Sequence, residues 1–157
     1  GESIPHSLSA RDQNNRYEAF KSLARRRGLI VLFSRSSLVT QLQRQAVVWN
    51  QRIGEFRALG YNVALVTNDP VAVHARFAAA NRIAYTLLAD EKSSIIRAFG
   101  LIDPRFPPAS RWHGLALPII FVIDPRGVIT HRFSGTDTRD RPDVGAVLRE
   151  LKRAPGG

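Results

Sequence analysis

One stretch restricts the possible folds more than any other. Two short apolar runs, at residues 29–34 (LIVLFS) and 61–67 (YNVALVT), bracket a long amphipathic segment. In that segment Leu38, Leu42, Ala46, Trp49, Ile53 and Phe56 recur at steps of 4, 4, 3, 4 and 3. Such spacing lays one continuous apolar stripe along a helix. Ser36 or Ser37 is the natural N-cap and Gly60 the natural stop. The flanking runs are strand-sized and rich in Val, Ile and Leu, as buried strands are.

The alternation continues along the chain. Asn68, Asp69 and Pro70 cap a helix that runs to about residue 81. Residues 85–88 read as extended, and 91–99 as a short helix closed by Gly100. Upstream, Tyr17, Phe20, Leu23 and Ala24 sit at helical spacing within 14–27, and Arg25, Arg26 and Arg27 precede Gly28. This predicts a helix with cations at its C-terminus and a glycine stop. Residues 1–13 lack periodicity and read as a flexible arm, leaving 14–157 as a single domain. Residues 101–117, with Pro104, Pro107, Pro108 and Gly114, should be a long surface loop. Strands at 118–124 and 127–133 joined through Pro125 and Arg126 predict a hairpin, and 143–152 a closing helix. The expected fold is α/β, a mixed central sheet with helices on both faces.

Composition narrows function. The 157 residues are 44% hydrophobic and 23% charged, values ordinary for a globular domain with one core. No run approaches the ~18 to 20 apolar residues that a membrane-spanning helix needs. Residues 1–13 carry no basic-then-apolar leader, so any secretion signal would have been removed or never present; the cytoplasm is favoured, with periplasm or secretion after signal removal as the alternatives. Lys plus Arg number 23 against 13 Asp plus Glu, a net charge of +10, and the only lysines are Lys21, Lys92 and Lys152. So basic a chain is expected to meet an acidic partner, whether protein, nucleic acid or an anionic membrane surface. There is no cysteine, which excludes disulfides, thiolate metal sites and every mechanism using a protein thiol. His6, His74, His113 and His131 lack metal-ligand spacing, and no glycine-rich phosphate loop is present, so no metal or cofactor is expected. The arginines are not interleaved with aromatics as a base-stacking platform would require.

In this order the segments resemble the thioredoxin fold, specifically its AhpC/TSA, peroxiredoxin-like (redoxin) branch. The strand at 29–34 runs directly into the long helix, and the strand at 61–67 ends in Asn68-Asp69-Pro70. YTLLAD at 85–90 with RAFG at 97–100 resembles that branch's P-L-L-S-D…R-A-Y-G segment, and FVIDPRGVI at 121–129 its F-V-I-D-P-D-G-V-I hairpin. Together these pieces span about residues 28–133. The resemblance implies a thioredoxin-like three-layer sandwich whose chemistry lies where the first strand turns into the long helix. It places Val39 at the nucleophilic cysteine and Leu42 at the resolving cysteine of C-x-x-C, with Ser36 at the peroxiredoxin threonine. Pro118 falls where thioredoxin-type members carry a cis-proline and peroxiredoxins an arginine, so a cis Leu117–Pro118 bond facing the start of the long helix is expected.

Valine and leucine can neither ionise nor form a sulfenate or disulfide, so the resemblance carries the fold and removes the reaction. Ser36 and Ser37 could act as nucleophiles only with a base in reach, and no histidine is linked to them by a motif; capping is their expected role. A vestigial pocket is thus expected around Ser36, Ser37, Val39, Leu42, Leu117 and Pro118. Two functions follow. One is a non-catalytic redoxin acting as a binding or accessory subunit for an acidic protein, through a loop surface with Arg105, Arg111 and Trp112. The other is a thiol-independent enzyme or anion-binding protein that uses the vestigial pocket.

Overall fold

A computed structural model describes residues 3–4, 8–36, 40–111, 113–134 and 143–153 of the chain. Seven strands make one mixed sheet: β1 (Ser9–Arg11), β2 (Tyr17–Ala19), β3 (Gly28–Phe33), β4 (Tyr61–Thr67), β5 (Thr86–Ala89), β6 (Ile119–Ile123) and β7 (Ile129–Ser134). Their order is β2-β1-β5-β4-β3-β6-β7. β3, β4 and β5 run parallel, while β1 adds antiparallel to β5 and β6 to β3. All six residues of β3 are buried, as expected of a strand with layers on both faces.

Helices α2 (Thr40–Gln51), α3 (Ile53–Leu59), α4 (Val71–Asn81) and α6 (Val144–Arg153) cover one face through Trp49, Phe56, Phe77, Val147 and Leu151. The other face packs against α1 (Phe20–Leu23) and α5 (Ser94–Ala98) through Phe20, Ile95 and Ile96. This is the expected three-layer sandwich, and the 118–124/127–133 hairpin is β6–β7.

Three local expectations are corrected. The helix expected at 14–27 is mostly replaced by a β1–β2 hairpin. Asp12 Oδ1 accepts the N–H groups of Asn14 and Arg16, and Asn15 takes a left-handed φ of 64°. This local turn reverses the chain and outweighs the helical spacing. The three arginines consequently lie in the entry to β3, where Arg27 N donates to Gly60 O and Arg25 N to Gly28 O. The flexible arm expected at 1–13 is likewise revised at its far end: Ser9–Arg11 is in the sheet, and Gln13 bridges the Tyr85 carbonyl and the Leu87 amide.

The single helix up to Gly60 is two. Arg52 leaves helical geometry (φ −106°, ψ 6°), and the apolar stripe continues across the break with Trp49 stacked on Phe56 at 4.7 Å. Gly60 (φ 98°) ends it as expected.

Candidate functional site

The site lies at the end of the sheet where β3 and β4 finish together and α2 begins. Ser34 N donates to Val66 O, which holds the two strand ends side by side. Ser36 follows on the loop toward α2, and Thr67, Asp69 and Pro70 form the turn into α4. Ser36 Oγ donates to Asp69 Oδ1 at 2.7 Å, and Thr67 Oγ1 donates to Asp69 Oδ2 at 2.7 Å. Thr67 Oγ1 also lies 2.7 Å from His74 Nε2 and accepts from Asp69 N at 3.1 Å. Thr67, Asp69 and His74 are all buried.

This geometry fixes the protons. Thr67 has one hydroxyl hydrogen, and it is directed at Asp69 Oδ2. His74 must then carry its proton on Nε2 and give it to Thr67 Oγ1, an assignment read from the network. Its Nδ1 is buried without a partner. The chain Ser36–Asp69–Thr67–His74 therefore resembles a catalytic relay only in composition. Ser36 donates to the Asp69 carboxylate, a weak base, and the His74 imidazole faces Thr67 Oγ1 and, at 3.7 Å, Asp69 Oδ2 and not the serine, so the histidine is not placed to take the serine's proton directly. The network instead ties the β3–α2 loop to the β4–α4 turn.

A second polar cluster borders the first. Asp103, 1% exposed, accepts Arg105 Nη2 at 2.6 Å and Arg105 Nε at 3.1 Å, and Arg35 Nη2 approaches at 3.7 Å. Burial raises the Asp103 carboxyl above its usual range, and the Arg35 guanidinium works against that shift. The loop after α5 is stapled by the Ile102–Ala116 bridge and by Asp103 N to Leu115 O. Gly114 presses against Ser93, where a Cβ would come within 2.6 Å of its hydroxyl. The expected long loop is thus fastened to the body.

Of the residues singled out from sequence, Ser36 is in the network and Leu42 in the first turn of α2. Ser37, Val39 and Trp112 lie outside the described residues. Arg105 is committed to Asp103, and Arg111 is exposed. Pro118 is buried at the start of β6 and lines a cavity of about 20 Å³ with Ser34, Gln45 and Ala46, so it does face α2. Its peptide bond, however, is trans, which corrects the cis bond expected at Leu117–Pro118. Leu117 N donates to Leu101 O, and Ile119 N closes a tight turn on Leu117 O, so a trans proline opens the strand at a position needing no N–H.

Sequence reasoning missed Thr67, Asp69 and His74 as a unit. The available signal was a T-x-D turn at a strand end, followed by a histidine on the inward stripe of the next helix with Phe77.

The sheet order and the parallel β3–β4–β5 centre, with helices on both faces, define a thioredoxin-like α/β fold. The fold is similar to peroxidoxin BcpB from Mycobacterium tuberculosis (TM-score 0.84, 19% identity, covering 97% of this chain and 95% of that one). It is also similar to peroxiredoxin Q from Xanthomonas campestris (TM-score 0.80, 20% identity, 95% and 94%). A mutant of peroxiredoxin 6 from Arenicola marina matches as well (TM-score 0.85, 16% identity, 97% and 71%). The sequence pattern of the AhpC/TSA family matches residues 2–132, and the chain belongs to that family. No curated protein sequence matches it. Among the described residues no helix is long and apolar enough to cross a membrane.

Proposed function

We propose that this chain is a thiol-free redoxin that serves as a binding or accessory subunit for an acidic protein partner. One observation carries the reading: a member of a family whose chemistry runs on cysteine contains none. The sequence resemblance would put Val39 and Leu42 at its C-x-x-C positions. The fold around that junction is that of the family, and Ser36, Asp69, Thr67 and His74 are joined there in one hydrogen-bonded network. A scaffold retained without its reactive group is suited to recognition.

The net charge of +10 supports an acidic partner, and arginine is the cation best suited to carboxylates because its planar fork pairs at two points. The loop carrying Arg105, Arg111 and Trp112 is the proposed contact. Within it Arg105 is anchored on Asp103, which fixes that side chain before docking and lowers its share of the entropy cost. The competing idea of a small-molecule enzyme at the vestigial pocket has less support. Beside Ser34 and Pro118 the cavity has room for about one water.

The test is native purification from the source cell, followed by binding of the co-purifying protein across a salt series. Affinity should fall with salt, Arg111→Glu should slow association, and Trp112→Ala should speed dissociation. Salt-independent binding, or binding unchanged in both variants, would refute the proposal.

A further inference from the structure

The second helical layer leaves part of the sheet uncovered. Over β6 and β7, between the end of α5 and the N-terminal segment, there is a cleft of about 460 Å³. That volume falls in the range of small-molecule sites, roughly 300–1,000 Å³. Its floor is aromatic: Phe99 and Phe121 lie 5.2 Å apart, and Phe33 packs behind both at 4.9 and 6.0 Å. Its wall is pinned, because Ile4 N donates to Gly127 O and Phe20 N donates to Leu8 O.

A strand irregularity brings a charge to this apolar floor. The β6–β7 register shifts between Val122 and Ile123: Phe121 pairs with Arg132 and Ile123 with Ile129. Thr130 is the extra residue, and the bulge resets the alternation of β7. Ile129 and Arg132, three positions apart, therefore share the face of Phe121, whereas regular alternation would put them on opposite sides. The Arg132 guanidinium stands 5.9 Å from the Phe121 ring centroid and is exposed. It has no acidic partner among the described residues.

We propose that this cleft binds an amphipathic organic anion, an apolar body on Phe99 and Phe121 with one carboxylate on Arg132. The site lies on the sheet face opposite α2 and does not depend on the proposed partner role. A purely apolar occupant would leave Arg132 unused, and an inorganic anion would leave the aromatic floor wet.

The experiment is an NMR and calorimetric titration of the full chain with decanoate, 2-naphthoate and the uncharged decanol, each below its aggregation concentration. The expected result is saturable binding of at least one carboxylate, with shifts centred on Gly100, Ile129 and Arg132. Decanoate against 2-naphthoate decides between a long-chain and an aryl ligand. Arg132→Gln should weaken the carboxylate roughly tenfold, the size of one charge-assisted contact, and leave decanol unchanged. Ala98→Trp, at an exposed position on the rim, should block the carboxylate as well. Both substitutions are at the surface, and dispersed amide spectra would verify folding. No saturable binding of either carboxylate, shifts centred elsewhere, or unaltered affinity in Arg132→Gln would overturn the proposal. So would a second copy of the chain filling the cleft, seen as concentration-dependent sedimentation that the carboxylates do not reverse.

Discussion

Thr67 Oγ1 lies 2.7 Å from His74 Nε2 in a part of the molecule where neither residue is exposed to solvent. The hydroxyl there is donor to Asp69 and acceptor from the imidazole at once. Thr67→Val keeps the shape and removes all three bonds of the hydroxyl, leaving a buried carboxylate oxygen, the His74 N–H and the Asp69 amide short of partners. A loss on the order of 3 kcal/mol is expected, since each unmet buried group costs ~1–3 kcal/mol. Thr67→Ser should cost about 1 kcal/mol for the missing methyl. Urea denaturation midpoints distinguish the two; equal losses would mean that packing, not hydrogen bonding, is what Thr67 contributes.

Two glycines should respond in opposite directions to the same change. At Gly28 (φ +135°) a Cβ would come within 2.0 Å of Ile123 O, so Gly28→Ala must push β6 away from β3. It should cost roughly 3 kcal/mol or more, through backbone strain and lost pairing. Gly54 is on the exposed side of α3 with nothing within 4 Å of its would-be Cβ. Gly54→Ala should stabilise by about 0.5–1 kcal/mol through helix propensity. Thermal melts of both variants give the comparison.

Tyr85 predicts a response to alkali. Its hydroxyl donates to Ala46 O at 2.8 Å, and burial raises its pKa well above the usual value of 10.0. In the unfolded chain it ionises near pH 10, whereas in the folded protein it stays neutral. Its contribution is therefore complete below about pH 10 and declines above it, by up to ~1.4 kcal/mol per pH unit. Tyr85→Phe should lose about 1 kcal/mol at neutral pH and show a shallower decline above pH 10. Parallel slopes for the two proteins would contradict the assignment.

The absence of thiols makes a strict expectation for redox assays. Purified protein should consume peroxide no faster than a buffer blank with any thiol reductant, and alkylating agents should change nothing. Val39→Cys should introduce a reactive thiol that peroxide converts to a sulfenate, detected by dimedone labelling. An inert cysteine at 39 would mean that the C-x-x-C frame is misplaced.

What could be read from the sequence was what depends on apolar periodicity. The strands at 29–34 and 61–67, the stripe from Ala46 to Phe56, and the hairpin at 121–129 are each dictated by burial, and burial leaves its period in the residues. What escaped was set by polar contacts between distant segments. The Asp12–Asn15 turn overrides the helical spacing of Tyr17, Phe20, Leu23 and Ala24, and Gln13 holds Tyr85 and Leu87 across the sheet. The Ser36–Asp69–Thr67–His74 chain joins residues from three elements, and no local pattern announces such a meeting. The trans bond at Pro118 is set by the turn that Ile119 N closes on Leu117 O and by the Leu117–Leu101 hydrogen bond, neither of which the residues around Pro118 announce.

The place of β3 between β4 and β6 also governs how the chain can be made. While the protein is being synthesised, β3 and β4 can pair soon after leaving the ribosome, but the other side of β3 waits for Ile119–Ile123. Through that interval Gly28–Phe33, every residue of which is destined for the interior, presents an open apolar edge, the surface most prone to joining a neighbouring chain. A polypeptide halted before residue 119 would keep that edge permanently. The yield of soluble protein in a cell is then tied to how quickly Ile119–Ile123 arrives, or to a chaperone that shields β3 until it does.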